Sequence, residues 1–204
     1  ETGVSTAGRV ASVVADVRRP EQAERMVESA VRELGGVDIL INNAGIGRFK
    51  PLSELTVEDW RETVETNLSG VFHCCRASIP AMRKQKGGWI INVSSLAGKH
   101  PFAGGTAYCA SKAGLNNLTV TLARVLAPRT RVNAVAPGFI DGSWLADGFG
   151  EAYDGIKKAF EDRAPLKRVC KPDDVAAAIL GVITGPDLVT GHVLPIEGGV
   201  LIAS

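Results

Sequence analysis

Little in the 204-residue sequence points to a metal, a membrane or a nucleic acid. Its four cysteines, Cys74, Cys75, Cys109 and Cys170, show no C-x-x-C spacing, so neither a zinc site nor a disulfide framework is indicated; the adjacent pair is expected in helix packing. Neither sign of charge is in excess. Lys and Arg number 23 against 22 Asp and Glu, a net charge of +1 that removes the electrostatic case for binding nucleic acid or an anionic membrane. No apolar run approaches the ~18 residues of a spanning helix, and residues 1–15 lack a signal-peptide pattern, so the expected location is the cytoplasm. There is also no linker, repeat or low-complexity tract. Residues 1–204 therefore read as a single domain, with 45% hydrophobic residues sufficient for a substantial core.

What is present is an alternation of two periodicities. The pattern predicts a strand at Val10 to Ala15, then a helix opened by Pro20, where the missing N–H costs little, and stopped by Gly35-Gly36. Met26, Val27, Ala30, Val31 and Leu34 form its apolar stripe. A strand at Val37 to Ile41 leads to a helix from about Val57 to Arg83, with Thr56 as N-cap, Asp59 at the third helical position and Pro80 expected to kink the last turns. Strand Trp89 to Val93, helix Ala107 to Leu126, strand Arg131 to Ala136, helix Pro172 to Thr184 and strand His192 to Pro195 complete the series. Such alternation implies an α/β fold, a parallel sheet doubly wound with helices on both faces. Asn42-Asn43-Ala44-Gly45, Ser94-Ser95 and Pro137-Gly138 each follow the carboxyl end of a predicted strand, the edge at which such sheets bind ligands.

The chemically suggestive element is Tyr108-Cys109-Ala110-Ser111-Lys112. A helix would place the phenol and the ammonium on one face. A phenol with a reference pKa near ~10 is a poor proton carrier at neutral pH, and a nearby positive charge favours its phenolate. Taken alone, the pair reads first as a solvated helix face, since Tyr-x-x-x-Lys occurs by chance in many chains.

Five motifs in order, NNAG at residues 42–45, Thr66-Asn67-Leu68-Ser69-Gly70, Ser94-Ser95-Leu96-Ala97-Gly98, YCASK at 108–112 and Pro137-Gly138, resemble the short-chain dehydrogenase/reductase family from about Val10 to Gly199. The resemblance implies a Rossmann fold and a hydride exchange between NAD or NADP and a small-molecule alcohol or carbonyl, with no metal. It assigns Tyr108 as general acid/base, Lys112 as the residue that lowers its pKa and holds the nicotinamide ribose, and Ser95, thirteen residues before Tyr108, as the group polarising the substrate. Ser94 reads as its structural neighbour. Asn67 matches an asparagine serving a water and lysine proton relay, or a plain backbone bracket. For the cofactor the resemblance implies Asp16 and Val17 near the adenine, Asn43, Ala44 and Gly45 beside the adenosine ribose, Tyr108 and Lys112 at the nicotinamide ribose, and Pro137, Gly138 and Ile140 near the nicotinamide. Asp16 could equally be a turn residue before the helix. Gly142 stands where the family usually has a threonine, with Ser143 next to it.

The substrate lid of the family falls on Ile140 to Phe160, and candidate substrate contacts are Ser95, Leu96, His100, Phe102, Trp144 and Leu145. Their apolar character favours an aliphatic, acyl or cyclic carbonyl over a charged sugar. The beginning departs from the family pattern. Its opening strand, glycine-rich turn, helix and second strand have no counterpart, and Gly3 and Gly8 follow no strand. A sheet lacking its first two strands is therefore expected in this chain, and the native protein is expected to carry an upstream unit that fills the gap. The end of the second strand, which separates NAD from NADP, has no counterpart either. The reading is an oxidoreductase resembling 3-oxoacyl carrier-protein reductases, a homotetramer or homodimer. The alternative is a noncatalytic scaffold or regulatory subunit that has lost its cofactor-binding half.

Overall fold

The computed structural model describes residues 8–85, 87–102 and 105–203, so Gly3 lies outside the described residues. Four parallel strands, β1 (Ile39–Asn42), β2 (Gly88–Val93), β3 (Thr130–Pro137) and β4 (Val193–Ile196), form one sheet in the order β1-β2-β3-β4. Helix α1 (Pro20–Leu34) precedes β1, and between the strands run α2 (Val57–Val64), α3 (Gly70–Lys84), α4 (Thr106–Leu126), α5 (Ser143–Phe149), α6 (Tyr153–Arg163) and α7 (Pro172–Thr184).

Local chemistry explains the boundaries. Pro20 opens α1 and Gly35, at φ 94°, closes it in the left-handed region open to glycine. Thr56 and Asp59 form a reciprocal capping box at the start of α2, and Pro172 opens α7. The central strands are buried along nearly their whole length, as parallel strands covered on both faces must be. Ile90 and Val132 pack with Val71, Cys75 and Met82 of α3 and Leu115 and Ala123 of α4. Arg131, whose side chain leaves β3 on the opposite face, donates from its guanidinium to the carbonyls of Ile183 and Pro186 at the end of α7. Helices thus cover both faces, and Cys74 and Cys75 are buried as the sequence suggested. Among the described residues no helix is long and apolar enough to cross a membrane.

Two expectations are corrected. Val10 to Ala15 is no strand: it joins no ladder among the described residues, and Val10 and Val14 stand exposed, because no strand lies beside it to take up its backbone donors and acceptors. The single helix expected over Val57 to Arg83 is interrupted by a π-helical turn at Glu65–Ser69, within which Asn67 is fully buried. The segment from Ile140 to Phe160 expected as the substrate lid contains α5 and most of α6.

Candidate active site

The carboxyl ends of β1, β2 and β3 bring the motif residues to one edge. α4 starts there, and its first two turns carry Tyr108 and Lys112, with the Lys112 ammonium 5.6 Å from the centre of the Tyr108 ring. Lys112 is buried and donates to the carbonyl of Val93, the last residue of β2, at 2.8 Å. Burial without a carboxylate partner pulls its pKa down to about 8. Burial likewise pushes the Tyr108 phenol up, while the Ser95 hydroxyl beside it pulls the other way. Desolvation thus sets the net direction for the phenol, while Lys112, still largely an ammonium at neutral pH, keeps its positive charge beside the ring.

Asn67 is fixed at both ends of its amide. Its Oδ1 accepts from the Ile46 backbone N–H at 2.8 Å, and its Nδ2 donates to the Ile46 carbonyl at 2.8 Å and to Ser111 Oγ at 3.1 Å. Ser111 in turn donates to the carbonyl of Tyr108 at 2.7 Å. The π turn is what aims Asn67 inward, and the side chain then brackets the loop after β1 to the turn carrying Tyr108. Below it lies a second buried ladder. Asn42 donates to Asn92, its in-register partner across β1 and β2, and Asn92 donates to Thr119 of α4, both at 2.9 Å. The first asparagine of NNAG is therefore a sheet-to-helix tie, while Asn43, Ala44 and Gly45 lie exposed on the edge.

The edge fits a nucleotide at the nicotinamide end. A Cβ on Gly45 would meet Asn67 Oδ1 at 3.3 Å and Lys112 Nζ at 3.7 Å, so glycine keeps a cradle open beside the ammonium. Gly138 packs against Glu197 and donates to the Ile196 carbonyl at 2.8 Å, which fixes Pro137-Gly138 against β4, and Ile140 bridges to Cys170. Asp16 holds Arg18 through both carboxylate oxygens and accepts from the Arg18 N–H, the geometry of a turn residue, and that contact holds its carboxyl below the ordinary range. The Val17 carbonyl meets His73 Nδ1 at 3.0 Å. Among the described residues no glycine-rich turn opens a helix at this edge; Gly8 is exposed and α1 opens at Pro20.

Ser94 is buried on Asn116 of α4, a structural neighbour as expected, and Ser95 accepts from the Ala97 N–H at 3.1 Å. Of the remaining substrate candidates, Phe102 and Trp144 gather near Tyr108, the Trp144 ring centre 6.1 Å from that of Tyr108. Leu96 does not. It is buried with Ala164 and Val200, because the turn after Ser95 points it into a separate apolar cluster. Leu145 is buried on α5, and His100 lies exposed, its ring without a hydrogen bond among the described residues. Gly142 precedes α5 in open space and Ser143 is its exposed first residue. Sequence reading missed Ser111, inside the YCASK motif itself, and Phe49, whose ring centre lies 5.5 Å from that of Tyr108. A lone aromatic a few residues past NNAG, in a chain only 5% aromatic, was the available signal.

A family model described as "Enoyl-(Acyl carrier protein) reductase" matches residues 2–201. The chain belongs to the short-chain dehydrogenase/reductase family. Its relatives include the 3-oxoacyl-[acyl-carrier-protein] reductase FabG of Thermotoga maritima, 40% identical over 197 residues that cover 96% of this chain and 78% of the relative. Among solved structures, the ligand-free aldohexose dehydrogenase of Thermoplasma acidophilum superposes with a TM-score of 0.87 at 28% identity, covering 94% of this chain and 78% of that one. An NAD+-bound xylitol dehydrogenase gives 0.83 at 30% identity, covering 92% and 78%. The protein is thus an oxidoreductase of the short-chain dehydrogenase/reductase type, a family that works with NAD or NADP.

Proposed function

We propose that this protein interconverts a ketone and a secondary alcohol, with Tyr108 giving or taking the hydroxyl proton. The carrying observation is the convergence of Ser95, Tyr108 and Lys112 at the sheet edge, with the Lys112 ammonium 5.6 Å from the centre of the Tyr108 ring. In the reducing direction Tyr108 donates its proton to the carbonyl oxygen, while the Ser95 hydroxyl polarises that oxygen. Lys112, steadied on the Val93 carbonyl, retains donors for ribose hydroxyls and places positive charge beside the phenolate that Tyr108 becomes. Asn67 acts as a positioning residue, holding Ile46 so that Gly45 stays flush beside Lys112.

The nicotinamide cofactor, when bound, supplies the hydride. Asn43, Ala44 and Gly45 would hold its adenosine ribose, Lys112 and Tyr108 its nicotinamide ribose, Pro137, Gly138 and Ile140 the nicotinamide side, and Asp16 and Val17 the adenine. The four free cysteines suit a reducing cytoplasm. Exposed Val57, Trp60, Phe72, Val120 and Val125 on α2, α3 and α4 supply apolar surface for a homotetramer, which sedimentation would reveal as a mass four times that of the chain. A mass equal to one chain would refute that assembly.

The test is oxidation of NADH or NADPH with a panel of ketones. Wild-type turnover with at least one ketone and a loss of about 10² to 10⁴ in Tyr108→Phe is expected, since that change removes the proton and keeps the ring. Near-wild-type turnover in the variant would refute the role. Absence of turnover by the wild type would favour the scaffold reading.

A further inference from the structure

We infer that Phe49 determines substrate choice: its ring is the wall against which the apolar part of a ketone or secondary alcohol lies beside Tyr108, selecting alicyclic and aryl substituents over polyhydroxylated ones. The inference rests on the alcohol–ketone reading and names the substrate class for that site.

Phe49 belongs to the loop after β1, and its placement is determined from both sides. Its chain neighbours are turned toward α2, where Arg48 pairs with Glu62 and Lys50 with Asp59, each at 2.9 Å. With both cations held there, the ring between them projects the other way. Two glycines make its seat. A Cβ on Gly47 would come within 2.6 Å of the ring, and one on Gly148 would touch it at 3.4 Å. A side chain at residue 47 would push the ring out of place.

The ring then meets aromatic partners from three other parts of the chain. It stacks on Phe149 of α5 at 5.0 Å and 18°, stands edge-on to Tyr108 at 5.5 Å and 73°, and meets Trp144 and Phe102 at 5.9 Å each. Trp144 and Phe102 remain 47% and 41% exposed, so the aromatic cluster that the Tyr108 ring joins through Phe49 and Trp144 is partly open to solvent. Apart from the phenol itself, the only hydrogen-bonding group these rings carry is the Trp144 indole N–H. A substrate with hydroxyls on several carbons would give up water here without finding partners, whereas a ring or aryl group would exchange water for aromatic contact.

Two measurements test this. Steady-state kcat/KM for cyclohexanone and acetophenone is compared with that for dihydroxyacetone, in the wild type, Phe49→Leu and Phe49→Ala. The wild type is expected to favour the cyclic and aryl ketones by about tenfold or more, the ratio to fall by about tenfold in Phe49→Ala through a raised KM, and Phe49→Leu to lie between. Binding without turnover is read from tryptophan emission titrated with cyclohexanol and with glycerol, and Trp144→Phe assigns the signal. Saturable binding of cyclohexanol but not glycerol, weakened in Phe49→Ala, supports the inference. An unchanged substrate ratio, or an equal loss on all substrates, overturns it. If the wild type reduces no ketone yet binds cyclohexanol through Phe49, the alcohol–ketone reading fails and the apolar site stands; if it does neither, both fail.

Discussion

The two sides of the Tyr108 ring are built from different materials. On one side every polar group is held by another: Asn67 by Ile46 and Ser111, Ser111 by the Tyr108 carbonyl, Lys112 by Val93, and Asn42, Asn92 and Thr119 in a buried ladder beneath. On the other side Phe49, Phe102, Trp144 and Phe149 meet only through ring contacts and are partly open to water. Directional bonds in a low-dielectric interior admit one arrangement, whereas apolar contacts tolerate many of similar energy. Proton transfer needs the first kind of surface, and recognition of a substituent is served by the second.

The largest expected effect breaks the polar side at its reacting group. Tyr108→Phe should lower turnover by about 10² to 10⁴ while leaving the unfolding midpoint nearly unchanged, measured by NAD(P)H oxidation and urea titration on one preparation. A variant that loses activity only in step with stability would place Tyr108 among packing residues.

Next is the ladder below. Asn92 touches no reacting group, but Asn92→Ala leaves Asn42 and Thr119 facing a gap in a buried setting. An unsatisfied buried donor costs about 1 to 3 kcal/mol, so a loss of that size in urea unfolding is expected. Asn42 also lies 3.4 Å from Cys75 Sγ, a weak substitute partner that favours the lower part of that range. A change within about 0.5 kcal/mol, the level of an ordinary surface substitution, would show that the ladder does not tie strand to helix.

Much of the polar side was legible in the sequence because it is written locally. Tyr108 and Lys112 share a helix face by their spacing, and NNAG and Ser94-Ser95 follow strands whose apolar runs are continuous. The aromatic side is assembled from the loop after β1, the turn before α4, and α5, and no periodicity joins Phe49 to Trp144. Leu96 shows the converse error. It stands next to Ser95 in the chain, yet the tight turn over Leu96–Gly98 sends it into another cluster. Val10 to Ala15 failed for a further reason: its composition favours a strand, but a strand is a property of a pair, and no partner lies beside it among the described residues. The spacing of Tyr108 and Lys112 does not report burial, which sets the upward direction of the Tyr108 shift.

Lys112 sharpens the comparison through pH. Its folded pKa of about 8 lies below the ordinary lysine value of 10.5, so between those limits the unfolded chain binds more protons than the folded one. Stability from this group is therefore lowest below pH 8 and rises as pH increases toward 10.5. Activity should run the other way, because the ammonium is the form that favours the phenolate: kcat/KM for reduction should fall as pH rises through about 8. Lys112→Met, without a titrating group, should lower activity and abolish that limb. A limb at the same pH in the variant would assign it to another residue.

The smallest effect is expected on the aromatic side. Trp144 is about half exposed and sits at the first turn of α5, meeting Phe49 and Tyr108 through ring contacts at 5.9 and 6.1 Å. Such contacts are worth about 0.5 to 1.5 kcal/mol beyond burial, and much of the indole already faces water. Trp144→Ala removes a wall without orphaning a polar group, since the indole N–H holds no protein partner among the described residues. Stability should fall by about 0.5 to 1.5 kcal/mol, with KM for a cyclic ketone raised several-fold and kcat retained, because the proton donor and its supports are untouched. Loss of kcat comparable to that in Tyr108→Phe would show that the aromatic wall positions the phenol, and the division between a rigid polar side and a tolerant apolar side would not hold.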